Sequence, residues 1–145
     1  MRTTIYIYLF LCFILLVGVF QCKKVEGPEP ETKEFLNTLW RLDSFETIGG
    51  DIIKPPKDQI YTIQFEEDGK FYGTNDCNDI GGDYEAGPNK SLRIVRLGTT
   101  FAYCGKESMY SEYYKAIHNL YSYDIYKNKL HLYYGNNSRL NFIGE

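Results

Sequence analysis

The alternation of apolar and polar positions divides the chain into three stretches. From Ile5 to Phe20 the side chains are almost all apolar. From Cys22 to about Thr32 the sequence reads Cys-Lys-Lys-Val-Glu-Gly-Pro-Glu-Pro-Glu-Thr. Its two prolines, its glycine and its charges cannot pack a core, and the segment suits a solvated tether over residues 22–33. Beyond it, short alternating runs recur to the end, so a folded domain is expected over residues 34–145.

Within that domain, residues 39–47 mix apolar and polar positions and stop at Gly49-Gly50, which predicts a first strand. Tyr61-Thr62-Ile63-Gln64-Phe65 alternates β-branched and aromatic residues and predicts a second. Asp68-Gly69 supplies the positive-φ position of a tight turn, and residues 70–74 return from it. Gly81-Gly82 is expected to open a short strand around Asp83-Tyr84-Glu85, and residues 91–97 alternate as another. The period then changes. Met109, Tyr110, Tyr113, Tyr114, Ile117, Leu120 and Tyr121 fall at steps of three and four, which predicts a helix over residues 106–121 with one apolar stripe. Residues 121–126, 130–134 and 139–143 read as closing strands. Many short strands with one helix point to an α+β domain: a small curled or barrel-like antiparallel sheet with the helix packed against it.

Composition strengthens that picture. Of 145 residues, 14 are Tyr, 9 Phe and 1 Trp, or 17% aromatic, and aromatic side chains favour half-buried pleated surfaces. The net charge of −3 argues against nucleic-acid binding through bulk positive charge. Two histidines and four cysteines leave little material for catalysis.

The amino terminus has the parts of a secretory signal: Arg2, the apolar run and a defined end. The run is shorter than the ~20 residues that cross a bilayer as a helix. A permanent anchor helix, stopped by Lys23 and Lys24, is the alternative. Cys22, at the end of the run, makes the segment resemble a bacterial lipoprotein signal, in which residues 1–21 are cut off and the new terminal cysteine is lipidated. Val19-Phe20-Gln21-Cys22 has bulky Phe20 and polar Gln21 where small residues are usual. Cleavage would remove Arg2 and no acid, and so take the net charge from −3 to −4. The expected location is the bacterial cell envelope, on the periplasmic or cell-surface face of a membrane. The expected partners are that membrane, through the lipid, and an envelope protein or small ligand, with no nucleic acid.

Few residues suggest chemistry. Asp76-Cys77-Asn78-Asp79-Ile80-Gly81-Gly82-Asp83 resembles a calcium loop, but its fifth position is Ile80 and its twelfth is Gly87 rather than Glu. A polar turn is the expected reading, with no metal and no cofactor. His118 and His131 have no neighbours that mark a ligand set, and no nucleophile or phosphate-loop motif occurs. No catalytic residue is expected, and the protein is read as a non-enzyme. Cys77 and Cys104 are the two cysteines of the folded domain. Outside the cytoplasm they suggest a disulfide, which would contribute roughly 3–4 kcal/mol in the chain-entropy model. Two buried thiols, or a reactive pair, are the alternatives.

A set of ordered motifs resembles the META domain, also called the HslJ-like family. The set begins with Leu39-Trp40-Arg41-Leu42 and Phe65-Glu66-Glu67-Asp68-Gly69-Lys70. Cys77-Asn78, Gly82-Asp83-Tyr84, Leu92-Arg93-Ile94 and Thr100-Phe101-Ala102-Tyr103-Cys104 follow, and Leu130-His131-Leu132 with Leu140-Asn141-Phe142 close it. The match covers roughly residues 36–143. Asp76 stands where the family usually has glycine before the Cys-Asn pair. The resemblance implies a curled antiparallel sheet, frequent attachment to envelopes as a lipoprotein, and links to stress responses. It carries no catalytic residues. Trp40, Cys77, Asn78, Tyr84, Thr100 and Cys104 are matched positions that it implies are fold determinants. Two functions remain open: an envelope-anchored, stress-related or binding module, and a lipocalin-like small barrel that holds an apolar ligand.

Overall fold

The structure is a computed structural model that describes residues 34–145. The expected signal segment 1–21, the attachment residue Cys22 and the tether 22–33 lie outside the described residues. Among the described residues nine strands are present: β1 Trp40–Glu46, β2 Ile52–Ile53, β3 Thr62–Phe65, β4 Lys70–Asn75, β5 Asn78–Gly87, β6 Ser91–Thr99, β7 Leu120–Tyr126, β8 Lys129–Tyr134 and β9 Ser138–Gly144. The α-helix α1 spans Tyr110–His118.

Every strand pairing is antiparallel, in the order β1-β3-β4-β5-β6-β7-β8-β9. Strand β9 then pairs back with β1 from Trp40–Gly144 to Glu46–Arg139, so eight strands close a barrel. Closure removes the unpaired edges that an open sheet would expose. Strand β2 is a spur that pairs with Phe45 and Glu46. The joint between β6 and β7 is narrow, with register only at Ser91 and Ser122. The barrel and its single helix are the α+β architecture that the apolar pattern predicts.

Alternation along the strands fills the interior. Trp40, Leu42, Ile63, Phe65, Phe71, Ile80, Leu92, Leu130, Leu132, Leu140 and Phe142 all point inward and are buried. The incoming chain closes one end. The Phe35 ring stacks on Phe65 at 4.5 Å and on Tyr123 at 4.3 Å, and the indole N–H of Trp40 donates to the Phe35 carbonyl at 3.2 Å. Helix α1 covers the opposite end with Tyr113, Ala116 and Ile117. The Tyr113 hydroxyl donates to the Thr62 carbonyl at 3.0 Å, and its ring centroid lies 5.1 Å from that of Tyr61.

The helix is shorter than the expected 106–121. The Met109 N–H donates to the Tyr61 hydroxyl at 2.9 Å, which ties residues 106–109 to the segment before β3 instead of to a helical turn. At the other end the Asn119 side chain donates to the Lys115 carbonyl at 2.7 Å, and Leu120 is already paired with Tyr134. The stripe is therefore corrected. Tyr110 and Tyr121 are exposed, Tyr114 is half-buried and Ala116 joins the buried face. A second correction concerns Gly81-Gly82, which does not open a strand. Strand β5 runs through both, paired with β6, and residue 82 is glycine because a Cβ there would lie 1.9 Å from the Arg96 carbonyl oxygen of β6.

Two expectations follow for stability. Ile117→Ala should lower it by about 2–5 kcal/mol, read from the unfolding midpoint in urea; an unchanged midpoint would mean that this face is not buried. The second concerns pH. Burial pushes the Tyr113 phenol well above its ordinary value, so the fold favours the protonated form. The stability this linkage contributes is complete below about pH 10, the unfolded tyrosine value, and is lost as pH rises past it. The urea midpoint should fall above about pH 10, and fall less steeply in Tyr113→Phe.

Candidate functional site

The turn between β4 and β5 begins at Asp76, whose φ of +61° lies in the left-handed region. Aspartate tolerates that conformation, which glycine adopts freely. The Asp76 N–H donates to the Ile60 carbonyl at 2.8 Å and holds the turn against the segment before β3.

The next two residues meet the loop that follows β6. Cys77 and Cys104 are joined by a disulfide, with Cα atoms 5.4 Å apart. Asn78 is buried and uses both ends of its amide. Its Oδ1 accepts from the Ala102 N–H at 2.6 Å and from the Thr100 hydroxyl at 3.1 Å. Its Nδ2 donates to the Ala102 carbonyl at 3.0 Å and to Cys104 Sγ at 3.1 Å. Thr100 Oγ1 also accepts from the Asp79 N–H at 3.0 Å. The side chain of Asn78 thus takes the place of a neighbouring strand for a loop that has none.

Between these fixed points the loop turns its rings outward. Phe101 is 95% exposed and Tyr103 is 81% exposed. A bare phenyl ring held out by a pinned backbone is costly in water, and rigid aromatic side chains are the usual anchors of binding surfaces. The backbone of this loop is ordered before any encounter, which lowers the entropy lost on association. The loop lies at the end of the barrel opposite the entry of the chain at Phe35.

Cys77, Asn78, Thr100 and Cys104 come together in this site. Trp40 and Tyr84 do not: Trp40 is in the barrel, and Tyr84 packs edge-on against Phe65 with its hydroxyl donating to the Glu66 carbonyl at 2.7 Å. Phe101 and Tyr103 were not singled out by sequence as functional. The signal was the alternation in Thr-Phe-Ala-Tyr-Cys: the matched Thr100 and Cys104 are tied to Asn78 and Cys77, and the residues between them carry the exposed rings.

Elsewhere most polar side chains are paired, although the buried Asn75 Oδ1 has no hydrogen-bond partner. His118 is exposed on α1. His131 Nδ1 lies 2.7 Å from Asn141 Oδ1, and the Asn141 amide donates to Ser44 Oγ at 3.2 Å and to Glu46 Oε2 at 3.3 Å. Arg139, 2.6 Å from Glu46, holds that carboxyl below its usual range. Asp83 is paired with Arg96 and Lys70, Glu85 with Arg93, and Asp124 with Lys90, so these cations do not form an unpaired basic stripe. Among the described residues no group of three or more His, Cys, Asp or Glu could hold a metal ion, and no helix is long and apolar enough to cross a membrane. An outward-open depression of about 380 Å³ lies where β6 and β7 diverge, lined by Glu85, Leu92, Arg93, Leu120 and Tyr121.

These features define a small antiparallel β-barrel closed at one end by a helix, with a disulfide-braced loop at that end. The META domain model matches residues 33–145, and the chain belongs to that family. Two solved structures share the fold. A protein from Burkholderia xenovorans, determined by NMR, is 18% identical with a TM-score of 0.63, over 85% of this chain and 96% of that one. A DUF4847 family protein from Bacteroides vulgatus, determined by crystallography, is 21% identical with a TM-score of 0.55, over 75% and 93%. No curated protein matches the chain significantly.

Asn78→Ala removes every hydrogen bond from its side chain to the loop and should cost about 1–3 kcal/mol in the urea midpoint. Phe101→Ser and Tyr103→Ser should each stay within about 0.5 kcal/mol of the native protein, because their rings bury little. Equal losses in all three would mean that the rings pack against the body.

Proposed function

We propose that this META domain is a non-enzymatic binding module of the bacterial envelope. It is tethered to a membrane through lipid on Cys22 and presents the Phe101–Tyr103 loop to an envelope component. The carrying observation is the loop itself: two exposed rings on a backbone pinned by Asn78 and the Cys77–Cys104 bond. The placement of the ends supports it. The chain enters at Phe35, so a tether on that side leaves the loop pointing away from the anchoring surface. A part in envelope stress tolerance is consistent with this reading. The lipocalin-like alternative shares the closed barrel, but it also needs interior room, and here Trp40, Phe65, Phe71 and Phe142 occupy the barrel.

Fatty-acid labelling of cells tests the anchor. Cys22→Ser should abolish labelling and leave the precursor uncleaved, whereas unchanged labelling would overturn it. The loop is tested by capture of envelope components on the native chain and on the Phe101→Ser, Tyr103→Ser double variant. A component retained by the first and lost by the second supports the reading; equal retention by both refutes it.

A further inference from the structure

Resting on the reading of this loop as the binding surface, we infer that Cys77–Cys104 is an exchangeable disulfide. A dithiol reductant attacks Cys77 Sγ, Cys104 leaves as the thiolate, and the Tyr103 side of the loop is released while the barrel stays folded.

The two sulfurs differ in their surroundings. Cys77 sits in the exposed turn after β4, whereas Cys104 is half-buried. The Asn78 amide donates to both sulfurs, closely to Cys104 Sγ at 3.1 Å and only at 3.8 Å to Cys77 Sγ. A donor at a sulfur favours its thiolate, and a thiol with the lower pKa is the better leaving group. Access and leaving-group stability therefore select the same direction of attack. The reductant thiolate forms a bond to Cys77 Sγ as the Cys77–Cys104 bond breaks, and the electron pair of that bond goes to Cys104, which takes a proton from water. The second thiol of the reductant, losing its proton, then attacks its own sulfur in the mixed disulfide and frees Cys77, which is protonated in turn. Two electrons and two protons pass from the dithiol to the protein, and the reductant becomes a disulfide.

The bond joins one surface turn to one surface loop and forms no part of the barrel closure between β1 and β9. After it opens, Ala102 is still held by Asn78, and Glu107 is still held by the Gln59 side chain, which donates to its carbonyl at 2.8 Å. Residues 103–106 lie between those two ties and lose the covalent one. Tyr103, one of the two exposed rings, is in that stretch, so reduction removes half of the preorganised surface.

The test uses the full chain in detergent, with Cys12 and Cys22 replaced by Ser so that Cys77 and Cys104 are its only cysteines. Glutathione serves as the trapping thiol and dithiothreitol as the dithiol. Mass spectrometry should find the glutathione adduct on Cys77. Reduction by dithiothreitol should speed chymotryptic cleavage after Tyr103 at least tenfold, with the near-ultraviolet signal of Trp40 unchanged. The Cys77→Ser, Cys104→Ser double variant should be cleaved as fast as the reduced protein. Asn78→Asp keeps the two acceptor bonds and removes the donors to sulfur and to the Ala102 carbonyl, and should slow reduction at least fivefold. An adduct on Cys104, unchanged cleavage, or loss of the Trp40 signal on reduction would each overturn the proposal, whether or not the Asn78 variant folds. If exchange proceeds as described while the Phe101, Tyr103 double variant captures the same component as the native chain, the binding reading fails and the exchange stands.

Discussion

The closure of β9 onto β1 is the constraint on which the rest depends. Strand β1 pairs with β9 along its whole length on one side, while β3 and β2 share the other side end to end. This one ladder joins the last residues of the domain to the first. It turns a twisted sheet into a container with an inside, and so gives the alternating apolar residues a common direction. Trp40, Leu42 and Phe45 on β1 and Leu140 and Phe142 on β9 are buried because the ladder exists. The barrel needs a stopper at each end. Phe35 supplies one and α1 the other, each from a segment that is not itself a barrel strand.

Asn78 solves a different problem, that of holding a loop with no strand beside it. Buried polar groups must find partners, and a side-chain amide offers both donors and an acceptor. Here they replace the missing ladder, and the geometry turns Phe101 and Tyr103 outward. The site and the fold are therefore linked at one residue: a substitution at Asn78 alters the loop before it alters the barrel.

Much of this was legible from the residues. Period-two alternation located β3, β6, β8 and β9, and Asp68-Gly69 located the turn between β3 and β4. Trp40 and the ordered motifs after it placed the family. Errors arose where tertiary contact overrode local pattern. The spacing of Leu120 and Tyr121 continued the helical stripe by coincidence, while pairing with β8 drew Leu120 into a strand. Gly81-Gly82 read as punctuation because the sequence does not show that β6 approaches too closely for a Cβ. Ile52–Ile53 is too short to register as a strand, and it exists only because β1 runs past it. In the site, the cysteines and Asn78 were visible as a set. The exposure of Phe101 and Tyr103 was not, since a ring flanked by matched residues is as easily read as core.

The placement of Phe35 has a mechanical consequence. The Glu145 N–H donates to the Leu39 carbonyl, so both termini of the domain emerge at one end of the barrel. A force pulling on the residues before Glu34 does not fall first on the β1–β9 ladder. It falls on the Leu36–Phe65 bridge, which is parallel, and on a ring held between Phe65 and Tyr123. Those contacts come before the closure ladder along the chain, so a load on the incoming segment meets them first.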